Sequence, residues 1–320
     1  MQKNRSYEQG DETMAVCKDL LQEYQANRIP PLQVKKLEFE GVGNRDVYNI
    51  TAPFLIENEL VIAGRVESRD SESSDIYFFV EKNGKWCPKA GAKTFHMQDP
   101  FFTFIDDELV LGGVETYPRP DDPSLLGWKT VFLKGKTLSG LEPFFEGPEG
   151  MKDLRLKQLR DGKIGVFTRP QGEKGGRGKI GYTVVNCLED LSVQKIEEAP
   201  LLENQFIEEE WGGCNEIHVL EDGTLGILGH IGSFDSEGNR HYYSLTFRMD
   251  PATGHYSEMK LLAVRSDFLP AEAKRPDLED VVFSGGLVRH GDGTATLYAG
   301  IGDASAQCIT LADPFTIKGV

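Results

Sequence analysis

One short pattern, a polar turn followed by an apolar strand, recurs five times and constrains the fold more than any other feature. In the second copy, Asp106 and Asp107 precede the strand Glu108-Leu109-Val110-Leu111. The first apolar residues of the five strands are Leu60, Leu109, Ile164, Leu225 and Ala295. Their spacing of roughly 50 to 70 residues is typical of a four-stranded propeller blade. Because a β-sandwich gives no reason for a repeat, we predict an all-β fold: a five-bladed β-propeller that forms a single domain over residues 33–320.

The segment before the repeats has a helical pattern. Apolar residues at three- and four-residue spacings between residues 11 and 26 predict an amphipathic helix, which Pro30 and Pro31 would end. We expect residues 1–32 to form an N-terminal helical extension. Its apolar stripe must pack either on the body of the domain or on a neighbouring subunit, and the second arrangement would give a homo-oligomer formed through this helix.

Charge and cysteine content exclude several classes of function. The net charge of −16 disfavours nucleic acid and anionic membrane surfaces as partners. The five cysteines form no CxxC pair, so neither a structural zinc site nor a disulfide framework is indicated. The N-terminus lacks the apolar core of a signal peptide, and no apolar run approaches the length of a membrane span. We therefore expect a cytoplasmic protein.

The repeats predict which side chains meet. Equivalent positions of propeller blades face the same axis, and in this chain most of them are polar. Five residues after each of the first apolar residues given above, the chain has Arg65, Val114, Arg169, His230 and Gly300. Ten or eleven residues before each of the same apolar residues, it has Asn49, Asp99, Asp153, Asn215 and Gly285. Polar groups that converge in a hollow are typical of a ligand pocket. Taken singly, Arg169 is also explained as a surface residue at a strand end, and His230 as a hydrogen-bonded core histidine.

Asp99 is the candidate acid of this pocket. It lies in the stretch His96-Met97-Gln98-Asp99-Pro100-Phe101-Phe102. We expect Pro100 to favour an extended backbone at Asp99. We expect the two phenylalanines to exclude water and so to raise the carboxyl pKa towards that of a general acid. The alternative is an Asp-Pro turn without a function.

Two other stretches have simpler interpretations. The run Gly175-Gly176-Arg177-Gly178-Lys179 lacks the spacing of a phosphate loop and a following helix, so we predict a flexible hairpin that acts as a lid. The acidic run Glu208-Glu209-Glu210 is expected to be solvated surface.

Several of these motifs resemble those of a known family. Gln98-Asp99-Pro100 resembles the Glu-Asp-Pro motif of glycoside hydrolase family 130, the β-mannoside phosphorylases. Other stretches resemble its blade ends: Gly64-Arg65-Val66, Phe167-Thr168-Arg169-Pro170, Gly229-His230 and Tyr298-Ala299-Gly300-Ile301-Gly302-Asp303. Gln98 stands where that family has an acid, and Gly229 where it has a tyrosine. In these departures the chain is more similar to glycosyltransferase family 108, with the bacterial domain of unknown function 1861 and the Leishmania mannosyltransferase-phosphorylases.

The resemblance implies an enzyme that acts on β-1,2-linked mannooligosaccharides with inorganic phosphate or mannose 1-phosphate as co-substrate. Asp99 would transfer the proton, and a guanidinium cluster would neutralise phosphate without a metal or another cofactor. Arg169 and His230 would bind phosphate, and Arg65 either phosphate or the sugar. Asn49 and Asp303 would hold sugar hydroxyls. Asp153 and Asn215 would serve either the phosphate or the acceptor side.

Two alternatives remain open. A phosphate-independent glycosidase would pair Asp99 with Asp153, Glu216 or Asp303, because an inverting hydrolase needs a second carboxylate to activate water. A non-catalytic carbohydrate-binding propeller is the other, since the fold alone does not fix the function.

Overall fold

Twenty β-strands and three short α-helices are formed by residues 14–316, the part of the chain that the computed structural model describes. The prediction of an all-β fold is confirmed. The helices are α1 (Cys17–Ala26), α2 (Gly172–Gly175) and α3 (Val193–Glu198). The strands fall into antiparallel sheets whose members follow one another along the chain.

Three sheets come from the first part of the chain. The first contains β2 (Asp46–Tyr48), β3 (Phe54–Ile56), β4 (Glu59–Glu67), β5 (Ser74–Lys82) and β6 (Lys85–Pro88). The second contains β7 (Gln98–Ile105), β8 (Glu108–Pro118), β9 (Leu126–Gly135) and β10 (Glu142–Glu146). The third contains β11 (Arg155–Gln158), β12 (Ile164–Thr168) and β13 (Gly181–Val185).

The remaining strands form one eight-stranded sheet with two antiparallel halves. One half contains β14 (Trp211–Val219), β15 (Leu225–Phe234), β16 (Arg240–Met249) and β17 (Lys260–Ala263). The other contains β18 (Asp280–Arg289), β19 (Thr294–Ile301), β20 (Ser305–Ala312) and the early strand β1 (Gln33–Lys36), which pairs with β20. Within the described residues, strand pairing joins the halves only where His241 and Tyr242 of β16 pair in parallel with Asp280 and Val281 of β18.

The predicted turns are present before each repeated strand. Asn58 and Asp107 adopt positive φ angles of 62° and 61°, and glycines occupy the corresponding turns at Gly162, Gly223 and Gly293. Tight hairpins need this left-handed backbone, which Gly, Asn and Asp tolerate better than other residues. The polar residues of the repeat therefore shape the hairpins.

The N-terminal helix is shorter than predicted, and residues 11–13 of the predicted range lie outside the described residues. It begins at Cys17, because Ala15 pairs instead with Phe206 as a β-bridge. The backbone N–H of Cys17 donates to the carboxylate of Glu210 at 2.8 Å. Glu210 is buried, so the expectation of a solvated acidic run is wrong for this residue. Its charge satisfies a free N–H at the positive end of the helix.

The apolar face of α1 packs against its own domain. Cys17 and Leu20 are buried in the core cluster that surrounds β15 and β16. The hydroxyl of Tyr24 donates to Asp267 at 2.7 Å, which fixes the far end of the helix. The structure thus offers no support for a homo-oligomer formed through this helix, because its stripe is covered within the chain.

Two negative findings concern residues 14–316. No helix in this range is long and apolar enough to cross a membrane. Within the same range, no group of three or more His, Cys, Asp or Glu side chains is arranged to hold a metal ion.

Replacement of Glu210 by Ala should lower the free energy of unfolding by about 1–2 kcal/mol, since a buried, charge-assisted hydrogen bond to the helix is lost. Denaturant unfolding measures the change. Glu209→Ala is the matched control, because the neighbouring Glu209 is exposed and should change the stability little. Equal effects of the two substitutions would contradict the capping role.

Candidate active site

In each sheet, and in each half of the eight-stranded sheet, the first strand is bulged, ends or begins close to the residue that the repeat comparison selects. β-Bulges occur between Gln98 and Phe101, between Cys214 and Glu216, and between Ser284 and Gly286. In the first and third sheets the equivalent residues lie beside the strand: Asn49 follows β2 and Asp153 precedes β11. A bulge turns a side chain out of the regular alternation. These irregularities therefore direct the equivalent side chains of Asn49, Asp99, Asp153 and Asn215 towards one hollow, which is called the hollow below.

Three of these residues share an unusual backbone conformation. The φ angles are 44° at Asn49, 50° at Asp99 and 63° at Asp153. The expectation that Pro100 would hold Asp99 in an extended conformation is wrong, because the bulge places it in the left-handed region. Asn and Asp are the non-glycine residues that adopt this region most readily. Strained backbone of this kind is frequent at functional sites.

Asp99 is held by two donors from the first sheet. Its Oδ1 accepts from Nδ2 of Asn49 at 2.8 Å and from Nη1 of Arg65 at 3.1 Å. The Arg65 guanidinium also pairs with Glu67 at 2.6 Å and lies over the ring of Tyr48. Only 13% of the Asp99 side chain is exposed. The carboxylate is thus fixed in place with one edge open to the hollow.

The pKa of Asp99 departs from expectation. Burial acts to raise it, but Arg65, Lys152 and the hydrogen bond from Asn49 together lower it below its ordinary value. The expectation of a raised pKa is therefore wrong for the ligand-free protein. Opposite charge at hydrogen-bonding distance outweighs the exclusion of water, so the carboxyl is ionised at neutral pH.

Arg169 and His230 form a second cluster with Asp153 and Asn215. Nη1 of Arg169 lies 3.2 Å from Oδ2 of Asp153, and its Nε donates to the Gly212 carbonyl at 3.0 Å. Nδ1 of His230 lies 2.7 Å from Oδ1 of Asn215. Arg169 is 4% exposed and His230 is fully buried, which excludes the surface interpretation of Arg169.

The charges of this cluster are set by their surroundings. Burial would raise the pKa of Asp153, but Arg169, His230 and Lys152 lower it to about 2. Burial lowers the pKa of His230 to about 3 despite the nearby Asp153. The cluster at neutral pH therefore combines an ionised carboxylate, a guanidinium and a neutral imidazole.

Two polar atoms of the cluster have unused hydrogen-bonding capacity. Within the described residues, Nδ2 of Asn215 and Nε2 of His230 are buried and make no hydrogen bond. Nη1 of Arg169 makes none either, but it is the atom that forms the ion pair with Asp153. Buried polar groups are seldom left unpaired in folded proteins. Two of them on neighbouring side chains indicate the place of a polar ligand, which argues against a histidine that is simply satisfied in the core.

Glycines allow the cluster to pack this closely. A Cβ at Gly213 would lie 2.6 Å from Cε1 of His230, and one at Gly178 would lie 2.6 Å from Nη2 of Arg169. Gly178 belongs to the run that was predicted to be a flexible hairpin. α2 ends at the first residue of this run, and the carbonyl of Arg177 accepts from Gln171 at 2.8 Å. The flexibility of the run and its action as a lid stay predictions. The loop clamps the guanidinium of Arg169.

The last sheet contributes Asp303 and two positions without side chains. Asp303 follows β19 with a φ of 52°. Burial and the neighbouring Asp99 raise its pKa, although Arg65 opposes them. Gly300 and Gly285 leave room for the first sheet, since a Cβ at either position would collide with Asn49 or with the Ile50 carbonyl.

Two residues of the hollow were not among the site residues that the sequence predicted. Lys152 precedes Asp153 and lies close enough to lower the pKa values of both Asp99 and Asp153. Tyr242 stacks on His230 with ring centres 4.5 Å apart. The sequence did contain a signal for Lys152, because it is adjacent to Asp153, a residue that the repeat comparison selected. Tyr242 lies on a strand that the repeat comparison did not cover.

Glu216 does not join this hollow. Its carboxylate accepts from the N–H of Leu287 and lies 3.2 Å from Nε2 of His218. It lines a small cavity of about 90 Å³ with Lys157 and Phe104, and Asn215 and Arg155 border the same cavity. Glu216 is adjacent to Asn215 in sequence, and the bulge separates their directions.

Comparisons with known proteins agree with this architecture. Residues 24–317 match the family described as "Protein of unknown function (DUF1861)". No curated protein matches the sequence. MPT-4, a mannose phosphorylase from Leishmania mexicana whose structure contains a phosphate ion, is 33% identical with a TM-score of 0.86, covering 95% of each chain.

Two further structures are similar. MPT-1, a GDP-Man-dependent mannosyltransferase from Leishmania mexicana, is 29% identical with a TM-score of 0.85, covering 95% of this chain and 96% of that chain. The β-1,2-mannobiose phosphorylase of Listeria innocua is 13% identical with a TM-score of 0.62, covering 88% and 97%. The last similarity shows the fold alone.

Replacement of Gly213 by Ala should weaken the binding of phosphate or sulfate about tenfold or more, since the new methyl group displaces His230 and Arg169. Isothermal calorimetry measures the affinity. The matched control is Gly165→Ala, because Gly165 also has an ordinary backbone conformation and its added methyl group would meet only side-chain atoms at 3.2 Å. Unchanged affinity in Gly213→Ala would contradict an anion site at this cluster.

Proposed function

This chain belongs to the DUF1861 family, and we propose that it is an inverting β-1,2-mannoside phosphorylase. It converts a β-1,2-mannooligosaccharide and phosphate into α-mannose 1-phosphate and an oligosaccharide shorter by one mannose, and it catalyses the reverse synthesis. The observation that carries the proposal is the presence, in one hollow, of a single partly open carboxylate, Asp99, and of the unpaired polar atoms of His230 and Asn215 beside the Arg169 guanidinium. The 33% identity to a mannose phosphorylase along nearly the whole chain supports the substrate class.

We propose that the interrupted strands are the inner strands of five blades. The eight-stranded sheet then comprises two blades that meet at the short parallel pairing. β4 packs beside β7, β7 beside β11, β11 beside β14 and β14 beside β18, and β2 packs beside β19 and β20. This order closes a ring around the hollow. β1, as part of the last sheet, joins the two ends of the chain.

The second cluster is suited to hydrogen phosphate. Arg169 and Asn215 offer N–H donors to the anionic oxygens. An amide oxygen can only accept, so Nδ1 of His230 donates to Asn215 and the neutral ring presents Nε2 as an acceptor. Hydrogen phosphate has both acceptor oxygens and one O–H donor. Lys152 supplies a further charge, so no metal or other cofactor is needed.

Asp99 transfers the proton. In phosphorolysis, phosphate attacks the anomeric carbon, the glycosidic bond breaks, and the protonated Asp99 gives its proton to the departing oxygen through a sugar hydroxyl. In synthesis, the ionised Asp99 accepts a proton from the acceptor hydroxyl while mannose 1-phosphate releases phosphate. The lowered pKa of Asp99 in the ligand-free protein provides the ionised form that synthesis requires.

The first and last sheets hold the transferred mannose. Asn49 bonds to Asp99 and Asp303 lies near it, so that the carboxyl of Asp303 and the amide of Asn49 can bind sugar hydroxyls. Arg65 forms ion pairs with Asp99 and Glu67, so it orients the acid and contacts the sugar. Phosphate is bound by Arg169 instead. Asp153 orients Arg169, which assigns it to the phosphate side. We place the reaction in the cytoplasm.

The hydrolase alternative lacks a suitable second carboxylate in two of its three candidates. Asp153 is paired with Arg169, and Glu216 is bonded to Leu287 and His218 outside the hollow. Asp303 is the remaining candidate, and its raised pKa suits a general base, so the phosphate dependence of cleavage decides between the two mechanisms. A carbohydrate-binding propeller without activity would have no use for the unpaired anion-binding atoms.

Incubation with β-1,2-mannobiose should release mannose 1-phosphate only when inorganic phosphate is present. Replacement of Asp99 by Asn should reduce turnover by about two to four orders of magnitude, because it removes the proton donor, while the fold is retained. Mannose release without phosphate would favour the glycosidase. Binding of the sugar that is indifferent to Asp99→Asn, with no sugar phosphate formed, would favour the non-catalytic alternative.

The two directions should differ in pH dependence. Because the pKa of Asp99 is lowered, its protonated fraction at neutral pH is small and falls as pH rises. We expect kcat/KM for phosphorolysis to increase towards acidic pH, whereas that for synthesis should stay level over neutral pH, where Asp99 is already ionised. Initial rates in both directions across a pH series test this. Identical profiles would exclude Asp99 as the group that titrates.

A further inference from the structure

We propose that Arg155 is a positioning residue that holds the phosphate-binding cluster and the strand of the acid at their working separation. The proposal rests on the proposed function and assigns a residue that the repeat comparison did not select. Arg155 is the first residue of β11 and is only 3% exposed. Its side chain contacts three different sheets.

Three contacts fix the guanidinium. Nε donates to the Asn215 carbonyl at 2.8 Å, which is the carbonyl of the bulged residue in β14. Nη1 donates to the Leu154 carbonyl at 2.9 Å. The guanidinium carbon lies 3.6 Å from the ring centre of Phe101, which makes a close cation–π contact.

Each contact leads directly to a group of the active site. Asn215 holds the ring of His230. Leu154 follows Asp153, whose carboxylate holds Arg169 and lies 3.9 Å from Nη2 of Arg155. One side chain therefore fixes both groups that orient the phosphate-binding residues.

The third contact reaches the acid. Phe101 is the second residue after Asp99 and the first regular position after its bulge. A bulge adjusts its backbone more easily than a regular ladder does. A rigid, planar guanidinium between the bulges of β7 and β14 therefore fixes the distance from the acid to the anion site.

The energetic balance also indicates a positioning role. Burial lowers the pKa of Arg155, and the nearby Asp153 only partly opposes this effect. A buried charge of this kind is a weak source of stability, and well-packed apolar residues often replace it without loss. Retention of a guanidinium here is better explained by geometry, since misplacement by about 1 Å can cost about a hundredfold in rate.

The test compares Arg155→Lys and Arg155→Met with the wild-type enzyme. Lysine keeps the charge but lacks the planar fork that reaches both carbonyls, and methionine keeps the apolar volume. We expect both to raise KM for phosphate about tenfold or more, with KM for the mannooligosaccharide changed less than about twofold.

Lys157→Met is the matched control. Lys157 lies two residues further along the same strand, and burial lowers its pKa, but its neighbouring charge is Glu216 and not a residue of the hollow. Phosphate use should be unchanged in this variant. Near-ultraviolet circular dichroism of each variant establishes that the fold is retained.

The outcomes separate this inference from the proposed function. A wild-type protein that does not bind phosphate in calorimetry would overturn the proposed function. Wild-type phosphate binding that persists with equal affinity in Arg155→Lys and Arg155→Met would overturn the positioning role alone. A parallel rise of KM for phosphate and KM for the mannooligosaccharide would also overturn the positioning role. The same conclusion would follow if Lys157→Met changed phosphate use as much as the Arg155 variants do. If Arg155→Met fails to fold, Arg155→Lys decides between these outcomes.

Discussion

The candidate active site depends on one backbone feature: at the equivalent position of each sheet or half-sheet, the first strand is bulged, has just ended or has not yet begun. A regular strand alternates its side chains between its two faces. It therefore cannot turn an acid, an amide or the carboxylate partner of an arginine towards the hollow while the neighbouring residues of the strand stay packed in the core. The bulges and the left-handed residues Asn49, Asp99 and Asp153 remove this restriction. The cost in backbone strain is met by the well-packed sheets on either side.

Three buried arginines surround the hollow of a strongly acidic chain. The net charge is −16, yet Arg65, Arg169 and Arg155 are nearly fully buried around the site. Each has a carboxylate close by: Glu67 and Asp99 for Arg65, and Asp153 for the other two. These pairs reduce the cost of burying charge, and they leave the hydrogen-bonding capacity of the second cluster available to an anionic ligand.

The repeats predicted the convergence of the site well, because positions in equivalent register of a repeated unit occupy equivalent places. Asn49 meets Asp99, Asp153 meets Arg169 and Asn215 meets His230, as pairs drawn from those positions. The same reasoning failed where a neighbour from another element decides the outcome. The pKa of Asp99 depends on Arg65 and Lys152, and the start of α1 depends on contacts with Phe206 and Glu210.

The sequence by itself determined the strands, their turns and the residues that face the hollow, since hairpin chemistry and strand periodicity act over a few neighbouring residues. Only the tertiary structure decided the backbone direction at Asp99, the ionisation of its carboxyl, the recruitment of Lys152 and Tyr242, and the bridging role of Arg155. These properties arise from groups that are distant in sequence and meet only when the sheets pack together. Electrostatic and hydrogen-bonding energies depend on those distances, and no local pattern in the chain encodes them.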